Sequence, residues 1–161
     1  MSEFDPAHRI VVSYIDKSRE YYLAKGHGNP YRWASHEDAP FTPLAKPLSQ
    51  SRVALFTTTS RNEDWKKREV YAAPTSPPPE ALYTDHLFWH KKATHTKDVE
   101  SFLPIRRLEA YAAQGRIGNL APRFYGVPTD YSIRRTVDEL ASAAFERCRT
   151  DEVDAALLVA L

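Results

Sequence analysis

Residues 153–161 read VDAALLVAL. From Ala155 to Leu161 the run is apolar and of strand length, and it follows a long amphipathic segment, so it reads as a buried strand entered from a helix. The clearest companion strand is RVALFTTT, Arg52–Thr59, a β-branched and apolar run that ends in small hydroxyl residues. In open α/β sheets, ligands gather in the loops beyond the carboxyl ends of the strands. Thr57, Thr58, Thr59 and Ser60 fall at such an end.

Between these two strands, REVYAA (68–73) suits a second, shorter strand and TSPPP (75–79) a rigid connector. EALYTDHLFWH (80–90) fits strand or helix. Pro104 opens a helix through IRRLEAYAAQG, with Ile105, Leu108 and Ala112 on one face and Gly115 as its stop. GNLAPRFYGVP (118–128) reads as a loop. Asp130 caps a longer helix to about Arg149, and TDEVD turns into the last strand. The order of strands and helices predicts a small layered α/β domain with a partly parallel sheet flanked by helices.

The first part of the chain adds an N-terminal helix and an arm. Asp5 and Pro6 form a helix start, Ile10, Tyr14, Ile15, Tyr21 and Tyr22 give the apolar pattern, and KGHG from Lys25 ends it. NPYRWASHEDAPFTPLAKPL carries Pro30, Pro40, Pro43 and Pro47, which predicts an extended surface arm fastened by Trp33 and Phe41. The expectation is one domain over 1–161: a helix to residue 27, the arm over 28–51, and the α/β core over 52–161.

With 161 residues, 42% hydrophobic and 27% charged, the chain has the composition of one soluble globular core. A formal net charge of +1 creates no field that favours nucleic acid or an anionic membrane. No apolar stretch approaches the ~20 residues that span a bilayer, and MSEFDPAHR lacks the apolar core of a signal peptide, so a cytoplasmic protein is expected. The single cysteine excludes an internal disulfide and a multi-cysteine metal site. Cys148 falls in phase with Ile133, Val137, Leu140, Ala141, Ala144 and Phe145, which predicts a buried, inert thiol on an apolar helix stripe.

His86, His90 and His95 form the densest imidazole cluster. On a helix, His86 and His90 share a face and could ligate zinc with His95, Asp85 or Asp98; on a strand they stand roughly 13 Å apart, too far for one metal. Surface or hydrogen-bonded histidines are the expectation, ahead of a substrate or catalytic role and of a metal. The doublets Lys66–Lys67, Lys91–Lys92, Arg106–Arg107 and Arg134–Arg135 belong to no nucleic-acid readout module and read as solvated faces. Arg123, in a segment rich in glycine, proline and aromatics, reads as an ordinary surface residue ahead of one that holds a substrate or structural carboxylate in a bidentate fork.

Three blocks in order resemble the selenoprotein B family of glycine, sarcosine, betaine and D-proline reductases, especially its short members. They are PYRWASHEDAPFTPLAKPLSQSRVALFTTT, HTKDVESFLPIRRLEAYAAQGRIGNLAPR and DEVDAALLVAL, which together take in most of residues 30–161. The resemblance implies that DAALLVAL leads into selenocysteine or cysteine, two residues and a further cysteine, followed by a helix. That motif is expected downstream of Leu161, as after a UGA codon read as stop, and this chain alone is expected to be inactive. The resemblance also implies His86 as acid–base or orienting group, Asp98 as its partner, Arg123 as anion clamp, and Thr58 and Thr59 as substrate donors. Glu100 stands where the family commonly has asparagine, and Phe124 where it has histidine.

The expected activity is selenol- or thiol-dependent reductive cleavage of a small-molecule substrate, with no cofactor in this chain beyond that downstream pair. A thiol-reducing protein or reductase subunit is the expected partner, and the oligomeric state stays open. The alternative is a non-catalytic binding or assembly module of the same fold.

Overall fold

The structure, a computed structural model, describes residues 19–27, 38, 42–87 and 93–161, with the side chains of residues 64 and 65 left out. The chain divides into two compact units, Met1–Pro40 and Phe41–Leu161. In the first, residues 19–24 are helical and Gly26 takes φ +81°, the left-handed stop that favours glycine. The rest of the expected N-terminal helix, and Trp33 and Phe41 of the arm, lie outside the described residues.

The second unit is a small α/β domain. Its strands are β1 (Arg52–Thr57), β2 (Tyr71–Pro74), β3 (Asn119–Leu120), β4 (Arg123–Gly126) and β5 (Ala155–Val159). β1 is the hub, parallel to β5 along one edge and to β3 and β4 along the other, while β2 runs antiparallel outside β4. β1 holds this place because its side chains are apolar on both faces, as a doubly covered strand requires. Val53 and Leu55 face one layer, with Phe124, Phe102, Leu103, Ile105, Leu108 and Ile117. Ala54 and Phe56 face the other with Ala121 and Tyr125, against Ala144 and Cys148 of the second helix. Fully burying one such large side chain contributes about 1.5–3 kcal/mol.

The first helix, α1 (Ile105–Ala113), starts behind Pro104, buries Ile105 and Leu108, and stops before Gly115 at φ +68°. The second, α2, joins Ile133–Arg135, a π-helical stretch Thr136–Ala141, and Ser142–Thr150. Its cap is Ser132, whose Oγ accepts from the Arg135 N–H, rather than Asp130. Asp130 instead accepts from the Ser132 N–H and pairs with Arg135 and Arg68.

Four further expectations change. GNLAPRFYGVP is not a loop: it supplies β3 and β4, with Phe124 and Tyr125 among the most buried residues of the domain. Its glycines and proline punctuate a strand. Four steps along β1 from Arg52 to Phe56 match six along the partner from Asn119 to Tyr125, so Pro122 sits in a bulge. Gly126 leaves room for the Tyr71 ring, which a Cβ there would strike.

The apolar stripe on α2 is only partly buried. Leu140 is covered and Cys148 half-buried, but Val137 and Phe145 are 60% and 61% exposed. Val137 lies within the π-helical stretch, whose wider turn breaks the i, i+4 row, and Phe145 lies a helical step to the side of Ala144.

β5 pairs with β1 over all five residues, yet it is an outer strand of the sheet rather than a buried one. Leu157 is 45% and Leu158 62% exposed, because the two helical layers centre on β1 and β4. Arg135, finally, is not on a solvated face. Its guanidinium holds Asp130, Glu139 and the Arg68 carbonyl, and so ties α2 to the segment before β2.

Candidate functional site

β1 delivers a run of hydroxyls to the carboxyl edge of the parallel strands, and local hydrogen bonding sets their directions. The Thr57 hydroxyl, fully buried, accepts from the Thr59 N–H and lies 3.2 Å from the Thr59 hydroxyl, which turns the chain out of the strand. Thr58 clamps the end of the neighbouring strand: its Oγ1 accepts from the Leu161 N–H at 2.9 Å and donates to the Leu161 carbonyl at 3.3 Å. Ser60 and Tyr83 exchange backbone hydrogen bonds at 3.0 Å in both directions, which brings the 83–87 segment to this edge.

That bridge positions His86. The Leu87 N–H closes a turn on the Thr84 carbonyl, and the Tyr83 ring stacks on the imidazole at 5.5 Å between centroids. His86 Nε2 then lies 3.2 Å from Ser60 Oγ. Burial pushes the His86 pKa below its ordinary 6.5, and the nearby negative charge of Asp85 pulls the other way. The imidazole is therefore neutral at pH 7.

Two adjoining cavities open here. One of ≈ 280 Å³ is lined by His86, Leu87, Arg68, Pro128, Thr129, Tyr131 and Leu161. The other, ≈ 140 Å³, shares Arg68 and Pro128 and is lined by Thr59, Ser60, Arg61, Lys67 and Tyr71, with Glu69 the single acid among its walls. The Tyr71 hydroxyl donates to the Thr59 carbonyl at 3.2 Å, and burial raises its pKa. The combined lining offers a neutral imidazole, hydroxyls and cationic side chains, a set that suits a small anionic or zwitterionic molecule.

The expected site residues separate. Thr58, Thr59 and His86 meet at this edge, although the Thr58 hydroxyl is taken up by Leu161. Asp98 accepts from the Glu100 N–H and caps the short helical turn Val99–Ser101; the acid whose charge acts on His86 is Asp85. Arg123 opens β4 at the opposite, amino end of the parallel strands. There its guanidinium forks onto Asp151 at 2.8 and 2.9 Å, a structural carboxylate rather than the ordinary surface place expected. Asp151 also accepts from the Tyr125 hydroxyl at 2.5 Å, and the Arg123 fork holds it below the ordinary carboxylate range.

His90 lies outside the described residues, and His95 is exposed, its Nδ1 accepting from the Lys97 N–H. Among the described residues no three His, Cys, Asp or Glu side chains are grouped to hold a metal ion. Nor is any described helix long and apolar enough to cross a membrane.

Arg68 and Tyr131 were invisible as site residues in the sequence: one sits in a charged stretch, the other beside a helix start, and only the fold carries them to the cavity rim. Ser60 carried a faint signal as the last hydroxyl of the run after β1.

No protein-family model matches the chain, and neither a curated protein nor a solved structure matches it.

Proposed function

We propose that this chain is the substrate-side α/β domain of a component-B-like reductase, a protein of the glycine, sarcosine, betaine and D-proline reductase type. One observation carries the reading. The carboxyl ends of β1 and β5 are joined through Thr58 and Leu161 at the rim of a cleft that also presents His86 and Arg68. A small amino or imino acid fits that rim with its carboxylate towards Arg68 and its nitrogen towards the imidazole. A selenolate or thiolate at the end of β5 would supply the nucleophile for carbon–heteroatom cleavage. Cys148 is unsuited to act as that nucleophile, because it packs beneath α2 against the other face of the sheet and burial pushes its thiol pKa up. A thiol-reducing protein partner and a cytoplasmic setting complete the proposal.

A second reading, a non-catalytic binding module of the same fold, draws support from Thr58 and Arg123. Both expected substrate contacts are engaged within the chain itself, by Leu161 and Asp151.

Amide chemical-shift titration with glycine, sarcosine, betaine and proline tests the leading proposal. Saturable shifts at Thr59, Ser60 and Leu87, weakened at least tenfold by Arg68→Ala, are expected for one of the four. Four flat titrations would remove the reductase reading. A saturable response with no reductive cleavage once dithiol and a selenol peptide are added would favour the binding module.

A further inference from the structure

We propose that Ser60 is a nucleophile that, with His86 as its base, takes an acyl group from a small ester or thioester bound in the cleft. This activity needs no chalcogen and stands apart from the reductase reading. Ser60 lies just past the carboxyl end of a central parallel strand, where an α/β sheet exposes reactive groups. Its Oγ is 3.2 Å from His86 Nε2, within the reach a nucleophile–base pair requires. The pair is held from both sides: Ser60 by its two backbone bonds to Tyr83, His86 by the Tyr83 ring stacked on it. Ser60 lines the smaller cavity and His86 the larger, so an acyl group can approach Oγ from one side while the imidazole stays behind it. Arg61, Lys67 and Arg68 border the cavity on the Ser60 side, where positive charge favours an oxyanion.

The step balances within the chain. Oγ bonds to the carbonyl carbon as its proton passes to Nε2, and the carbonyl electrons move to oxygen. Collapse expels the alcohol or thiol, which leaves with the proton from Nε2. Water then attacks the acyl-Ser60 ester, giving one proton to Nε2; that proton returns to Oγ as the acid departs.

The probe is p-nitrophenyl acetate. A burst of p-nitrophenolate approaching one per chain is expected, with the acetyl group found on the Ser60 peptide by mass spectrometry. Ser60→Ala should abolish the burst, and it leaves the backbone bonds to Tyr83 in place. His86→Gln should slow acylation about 10²-fold. The wild-type rate should fall in acid with an inflection below pH 6.5 that His86→Gln removes; the groups around the imidazole are Asp85, Tyr83, Arg68 and Tyr131. Acetyl found on lysine or Cys148 instead, a burst that survives Ser60→Ala, or wild-type acylation by His86→Gln would each overturn the proposal. Because the mass assignment uses the unaltered chain, it decides even if a variant misfolds. Failure of the amino-acid titrations would leave this inference untouched.

Discussion

At the scale of single residues, two titrating side chains, Asp151 and His86, both make the protein less stable as pH falls, each in its own range. Asp151 is buried, and its pKa is lowered first by the Arg123 hydrogen bonds. A carboxylate with a folded pKa below its unfolded value contributes stability above about pH 4 that is lost as pH falls through the folded value. Asp151→Asn should therefore cost about 1–3 kcal/mol at pH 7 by urea denaturation, the lower end reflecting the part-exposed Arg123. It should also flatten the loss of stability below about pH 4; an unchanged pH profile would show that the fork contributes nothing. His86 has a lowered pKa because burial disfavours its charged form, so its contribution is complete above pH 6.5 and lost as pH falls through the folded value. Asp85→Asn removes the opposing negative charge and should lower the His86 midpoint further, as followed by ring-proton NMR. A midpoint that rises in this variant would contradict the assignment of Asp85 as its electrostatic neighbour.

Among the elements, β1 and β5 share a hydrogen-bond ladder but not an environment. Leu55 on β1 is fully buried, whereas Leu158 on β5 is 62% exposed. Leu55→Ala should cost about 2–5 kcal/mol, because it removes contacts and leaves a cavity. Leu158→Ala should change stability by no more than about 1 kcal/mol, as for an exposed site. Comparable shifts in the two urea midpoints would mean that β5 is covered in solution. The hydropathy of the two strands is much alike; the difference is made by which of them the helical layers cover.

For the molecule as a whole, stability should grade outward from β1. Its backbone is hydrogen-bonded on both edges, to β5 on one side and to β3 and β4 on the other. Amides of Leu55 and Phe56 should exchange only on global unfolding, while those of the short turn Glu63–Lys67 should exchange through local opening. Hydrogen exchange followed by mass spectrometry reads both, and faster exchange in β1 than in that turn would overturn this ordering. The turn borders the cationic cavity, so the same gradient leaves the site with a rigid floor and a softer wall.

The sequence by itself determined what depends on near neighbours along the chain. β1 followed from its unbroken apolar run, the start of α1 from Pro104 and its end from Gly115, and the hydroxyl run after β1 from its order of residues. It also determined that the layers are α/β, since strand and helix periods alternate. Tertiary structure decided what depends on residues far apart in sequence. Pro122 and the flanking glycines looked like a loop because the local code cannot show that Tyr125 and Gly126 pair with β1. Arg123 read locally as an ordinary surface residue, because nothing near it in sequence shows that Asp151, 28 residues away, takes its fork. Ser60 and His86 lie 26 apart, and their contact exists only because the Ser60–Tyr83 bridge folds one segment onto the other. Local propensity fixes backbone direction within one element, whereas a site of this kind is a set of distances between elements, and those are set by packing the whole sheet.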